Sequence, residues 1–204
     1  MSELLTYIAL GMRHILDVEA MDHILFLVAL AAIYRPRDIR DVLWVITAFT
    51  VGHSLTLALA VTGAVHLPSA VIEFLIPITI VATGIENLVI GIRRRSNLAL
   101  PNGWRRPMLA GVFGLVHGAG FANYLKDLFV DHIAVPLFGF NVGIEAGQLV
   151  VLAIAGAALF SIDRFIDAMR VASDRWPALR IRMFAVSLLV VIVASRWAIE
   201  RAPW

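Results

Sequence analysis

Apolar residues run through this chain in long blocks separated by short polar breaks. A bilayer crossing needs roughly 20 mostly apolar residues, with about 17 as a lower limit. Six blocks reach that length and predict helices over Val18–Tyr34, Val42–Val65, Ala70–Ile92, Pro107–Leu125, Ile133–Phe160 and Ile181–Ile199. The first carries Glu19, Asp22 and His23 in its opening turns. The fifth is the longest and predicts a tilted or projecting helix. Upstream, the apolar positions of MSELLTYIALGMRHILD are interrupted by Thr6, Gly11 and Arg13, which predicts a short interfacial helix. That stretch has no basic n-region and does not read as a cleavable signal peptide. The expected fold is all-α: a polytopic membrane helical bundle of about six transmembrane helices plus a short N-terminal interfacial helix. Residues 1–204 form a single integral membrane domain in this reading.

Composition strengthens it. The chain is 60% hydrophobic and 16% charged, with a mean hydropathy of +0.86. Soluble domains are about 45–50% apolar and about 25% charged. No cysteine is present, which excludes disulfides and thiolate metal sites. The pI near 9.5 could point to nucleic acid, but sixteen of the seventeen basic residues are arginines, lying mostly between apolar blocks. Thirteen basic residues fall in the connections 1–2, 3–4 and 5–6, among them Arg94, Arg95 and Arg175. Only Arg13, Lys126, Arg196 and Arg201 fall on the other side. The positive-inside rule then puts both termini outside the cytoplasm and predicts a lipid partner rather than nucleic acid.

Ionisable groups within a span cost about 2.5–3.5 kcal/mol each on insertion scales, and persist where they pair or do chemistry. This chain places Asp22 and His23 in span 1, His53 in span 2, Glu73 and Glu86 in span 3, His117 in span 4 and Glu145 in span 5. The predicted topology brings Asp22, His23, His53, His117 and Glu145 to overlapping depths in the outer half or middle of the membrane. On span 5, Asn141, Glu145 and Gln148 fall within about 60° of one another and form a polar stripe. Gly139, Gly143 and Gly147 line an adjacent face as a small-residue seam, and Gly114 and Gly118 flank His117 on span 4. Plainer roles compete at each position. Asp17 reads as the N-cap of span 1, with Glu19 in its first turn. His14 can be an interfacial residue paired with Asp17, and Asp22 and His23 a solvated helix start. A lone membrane histidine is ordinarily a hydrogen-bonded packing residue; three at a shared depth favour a site. Glu73 reads as interfacial, and Glu86 with Asn87 as an internal hydrogen-bonding pair. Ser54 is ordinary for a membrane helix. His66 and His132 fall in outer loops and carry no assignment.

Five stretches then occur in order: GMRHILDVEAMDHILFLVAL, TAFTVGHSLTLALA, IEFLIPITI, FGLVHGAGFANYL and FNVGIEAGQLVV. Together they resemble the HupE/UreJ family of bacterial hydrogenase and urease accessory membrane proteins, from about residue 10 to 155. The resemblance implies a small polytopic inner-membrane protein that moves nickel, or a related divalent metal, for metalloenzyme maturation. Its metal-associated positions carry over to His14, Asp22, His23, His53 and His117. Asp17, Ser54, Glu73, Glu86, Asn141, Glu145 and Gln148 are then expected as pathway or supporting groups. Seven residues separate His14 from Asp22, a longer gap than in the nickel-permease form. The metal therefore stays open among nickel, cobalt, zinc and copper, all of which suit imidazole. Expected partners are the metal ion as substrate, the bilayer, and maturation proteins or further copies of the chain. A transporter is favoured over an enzyme. The competing readings are a membrane-embedded zinc hydrolase, resembling alkaline ceramidases through its three histidines, Asp and Ser54, and an accessory protein that binds metal without moving it.

Overall fold

Apolar blocks become helices because hydrocarbon offers no hydrogen-bond partner for free peptide groups, so each segment must satisfy its own backbone. The computed structural model describes residues 3–18, 21–65, 68–93, 103–126, 134–173 and 176–204, with the side chains of 122–126 excepted. Glu19, His66, Arg94, Arg95, His132 and Arg175 lie outside the described residues. Among the described residues seven α-helices follow in order: α1 (Glu3–Leu16), α2 (Met21–Ala31), α3 (Ile39–Val61), α4 (Ser69–Arg93), α5 (Arg105–Lys126), α6 (Ala134–Ala168) and α7 (Ala178–Glu200). A single 3-10 turn, Pro36–Asp38, leads into α3.

Four of these segments are long and apolar enough to cross a membrane: Pro36–Val61, which holds α3, and α4, α6 and α7. Helix α5 has 22 residues, but its glycines and His117 lower its apolarity. At 1.5 Å per residue α6 extends about 52 Å, well beyond the ~30 Å hydrocarbon layer, so the projecting helix expected there is present.

The first expected span does not form as one helix. Only α2 is helical there, 11 residues or about 16 Å long, roughly half a bilayer. Nor does α1 stand apart as an interfacial helix, because it packs along α6 through the small-residue seam. A Cβ on Gly11 would overlap the carbonyl of Phe140, and one on Gly143 would overlap that of Ile8. The contacts run in step: Leu4 and Tyr7 at Gly139, Ile8 at Gly143, Ile15 at Gly147. Farther along, Ala31 and Tyr34 share a cavity wall with Leu152, Gly156 and Phe160. Helices α1 and α2 thus follow α6 in parallel, one after the other, with a break between them. The N-cap expected at Asp17 would bond into residues 19 and 20, which lie outside the described residues.

Two further pairings complete the bundle. Helices α3 and α5 run parallel, with Ala48 at Gly111, Phe49 at Gly114 and His53 at Gly118. Helices α4 and α7 run antiparallel, with Gly84 at Val191 and Gly91 at Met183. At the arginine-rich end, Arg182 is buried; it pairs with Asp163 at 3.0 Å and donates to the carbonyl of Tyr34 at 3.0 Å. Arg106 is buried too, donating to Asn87 at 3.1 Å beside Glu86. Asn87 in turn donates to the carbonyl of Ala29 at 2.7 Å. Arginines that a topology rule counts only as charge therefore also tie helices together.

Candidate functional site

The break between α1 and α2 brings two histidines together edge to face. His14 stands in the last turn of α1 and His23 in the first turn of α2, with ring centroids 4.6 Å apart. Helices α3 and α5 supply the other two. His53 is fully buried where α3 meets Gly114 and Gly118, and His117 is buried between those same glycines. His23 is the hub, with ring centroids 6.2 Å from His53 and 5.2 Å from His117. His14 lies 6.0 Å from His53. Four helices thus converge four imidazoles, three of them buried.

Their hydrogen bonding separates this cluster from ordinary packing. His14 Nε2, both nitrogens of His23, both of His53 and Nδ1 of His117 are buried without a hydrogen-bond partner. Buried polar groups ordinarily find one, because leaving one unpaired costs about 1–3 kcal/mol. His117 Nε2 has a partner, 3.0 Å away at Thr79 Oγ1. Thr79 spends its one hydroxyl proton on the carbonyl of Ile76 at 2.7 Å. Its oxygen can therefore only accept from His117, which assigns the proton to Nε2 and leaves the lone pair on Nδ1.

Aromatic rings bound the cluster on both sides. Phe121 lies 3.9 Å from His14 and stacks on Phe140. Phe26 and Phe49, 5.0 Å apart, lie against His117 on the side of the arginine-rich end. A cavity of about 590 Å³, lined by Leu10, Arg13, His14, Asp17 and Phe121 among others, opens next to His14.

The other predicted residues are distributed around this centre. Asp22 pairs its Oδ2 with Arg201 at 3.0 Å, and its Oδ1 is buried without a partner. Glu145 accepts from Thr47 at 2.7 Å and Gln148 from Thr50 at 3.1 Å, so the stripe on α6 is turned to α3. Asn141 Oδ1 is buried and unpartnered. Ser54 donates back to the carbonyl of Thr50 at 2.6 Å. Glu86 belongs to the Arg106 and Asn87 group at the arginine-rich end, and Glu73 lies on an exposed face of α4. Sequence reasoning missed Thr79, Phe26, Phe49 and Arg201. Only Thr79 had a signal available, as a hydroxyl two residues beyond the Pro77 that interrupts IEFLIPITI.

Two imidazoles sharing one ion at metal–nitrogen distances of about 2.0–2.1 Å and a tetrahedral angle have centroids about 5 Å apart. The observed separations of 4.6 to 6.2 Å bracket that spacing. Among the described residues, however, no three His, Asp or Glu groups form a ready coordination set.

A family model described as HupE / UreJ protein matches residues 1–201. No curated protein and no solved structure matches the chain.

Proposed function

The chain belongs to the HupE/UreJ family, and from that premise we propose that it carries a divalent transition metal ion of the nickel type across the bacterial inner membrane. One observation carries the reading: six unpartnered imidazole nitrogens, from helices α1, α2, α3 and α5, buried together in a membrane protein. An ion with borderline-soft character is the ligand such a group of nitrogens suits. Nickel, cobalt, zinc and copper all qualify. The α1–α2 break supports a count of six crossings, with α1 and α2 together making the first. Discontinuous helices of this kind line the substrate sites of many transporters. The parallel and antiparallel pairings agree with both termini on one side, and the arginine-rich connections put that side outside the cytoplasm.

The ion enters at the cavity beside His14 and Asp17 and is held by His14, His23, His53 and His117, with Asp22 next to the hub. Beside that cluster stand Ser54 and the α6 stripe of Asn141, Glu145 and Gln148; the ion then passes Phe26 and Phe49 and leaves near Glu86. Glu73 stays at the outer rim. The membrane potential drives uptake at about 2.3 kcal/mol per charge per 100 mV. The ion is cargo, so moderate affinity serves better than a closed cage.

Proteoliposomes loaded with a metal-sensitive dye test this directly, with nickel, cobalt, zinc and copper offered in turn. Wild type is expected to admit at least one of them, and His53→Ala to lose at least about 90% of that influx, because a buried first ligand is removed. Binding without influx in wild type would sink the transport reading. The aromatic floor of Phe26 and Phe49 favours that alternative, a membrane accessory protein that retains metal. Thr79→Val should weaken nickel binding about tenfold while leaving the fold intact, since it frees the tautomer of His117 rather than removing it. Equilibrium dialysis in detergent reads the change; unaltered affinity would remove Thr79 from the site.

A further inference from the structure

The carboxylate beside the hub histidine is already occupied by a cation of the protein's own. Arg201 is the C-cap residue of α7, and its Nη1 lies 3.0 Å from Asp22 Oδ2. Each partner sits where a helix end favours its charge. Asp22 occupies the first turn of α2, where the macrodipole is positive, and Arg201 the end of α7, where it is negative. Asp22 is largely buried and its second oxygen, Oδ1, has no partner. Arg201 is a third exposed and has a second surface at hand, the ring of Trp197 with its centroid 5.5 Å from the guanidinium carbon. The pair is therefore asymmetric, with a buried anion held in place and a cation able to withdraw.

We infer that Arg201 is a tethered cation that occupies the carboxylate next in the chain to the hub histidine and is displaced when the metal ion arrives. The inference rests on the metal reading of that cluster. Asp22 attracts a divalent cation only to the extent that its charge is not spent on the guanidinium, and two positive charges at one carboxylate oppose each other. Arg201 thus lowers the affinity of the site and makes it selective for ions able to compete. It is a positioning residue and touches no metal itself. Release moves the guanidinium toward Trp197 and frees the end of α7 from the first turn of α2.

The test has a sign that a structural role cannot imitate. Nickel binding to the purified full-length chain in detergent is measured for wild type, Arg201→Gln, Arg201→Lys, Asp22→Asn and the Asp22→Asn/Arg201→Gln double variant. Arg201→Gln is expected to bind nickel about tenfold more tightly, the effect of removing one nearby positive charge. Arg201→Lys should stay near wild type. Asp22→Asn should bind more weakly, and in that background Arg201→Gln should change little. A simple loss of packing would weaken binding or lower the thermal midpoint. Unchanged or weaker nickel binding by a folded Arg201→Gln overturns the inference and leaves the metal reading standing, as does a gain that persists with Asp22→Asn. Absence of binding by wild type to nickel, cobalt, zinc and copper alike overturns both.

Discussion

Alanine at His23 is expected to reduce nickel binding by more than about a hundredfold, beyond the 10–100-fold range of an outer-shell partner. His23 is the ring that reaches all three others, with centroids at 4.6, 6.2 and 5.2 Å from His14, His53 and His117. Removing it leaves no central ring between α1 on one side and α3 and α5 on the other. His14→Ala is expected to cost less, since His14 borders the open cavity and meets the group from the edge. Isothermal titration of the two variants against wild type checks the order. Equal losses for His14 and His23 would argue against a hub and for a site spread evenly over the four rings. The same substitution should not lower the thermal midpoint strongly, because both nitrogens of His23 lack partners and their removal relieves a desolvation cost.

The second large effect lies in the backbone beneath the site. Gly118→Ala is expected to destabilise the protein by about 3 kcal/mol, the upper end of the range for overpacking, and to abolish metal binding with it. An added Cβ there would overlap the carbonyl of His53, and one on Gly114 would overlap that of Phe49. Both obstacles are backbone, so no rotamer change relieves them. Helices α3 and α5 would have to separate, and their two histidines would move apart with them. Thermal unfolding in detergent and nickel titration on the same sample test the coupling. Gly156→Ala serves as the control, because a Cβ there meets nothing within 4 Å. A Gly118→Ala protein that melts like wild type would show that α3 and α5 do not meet at this closeness.

Much of this protein could be read from its residues alone. Apolar block length marked the helices from α3 to α7 to within about four residues at each end, save that α6 runs eight residues beyond the expected Phe160, because the backbone has no other way to satisfy itself in lipid. The small-residue seams on α5 and α6 announced close approach, since only a missing side chain lets backbones touch. His23, His53 and His117 stood out for the same energetic reason, being groups too costly in a membrane to be incidental. Residue type and spacing along one chain determine all of these features.

What depends on two segments meeting could only be seen in three dimensions. Helix α2 is too short to span, and α1 completes its path along α6; one-dimensional hydropathy sees a weak span and a separate amphipathic segment instead. Asp22 was legible as a charge beside His23, but its partner was not: its oxygen meets Arg201 from the far end of the chain. The stripe of Asn141, Glu145 and Gln148 was correctly placed on one face of α6, but its partners Thr47 and Thr50 are set by how α3 packs. Thr79 fixes a tautomer on a histidine 38 residues away in sequence. Local sequence decides which groups are expensive to bury; only the packing of the helices decides which of them share the same space, because that depends on contacts between residues far apart in the chain.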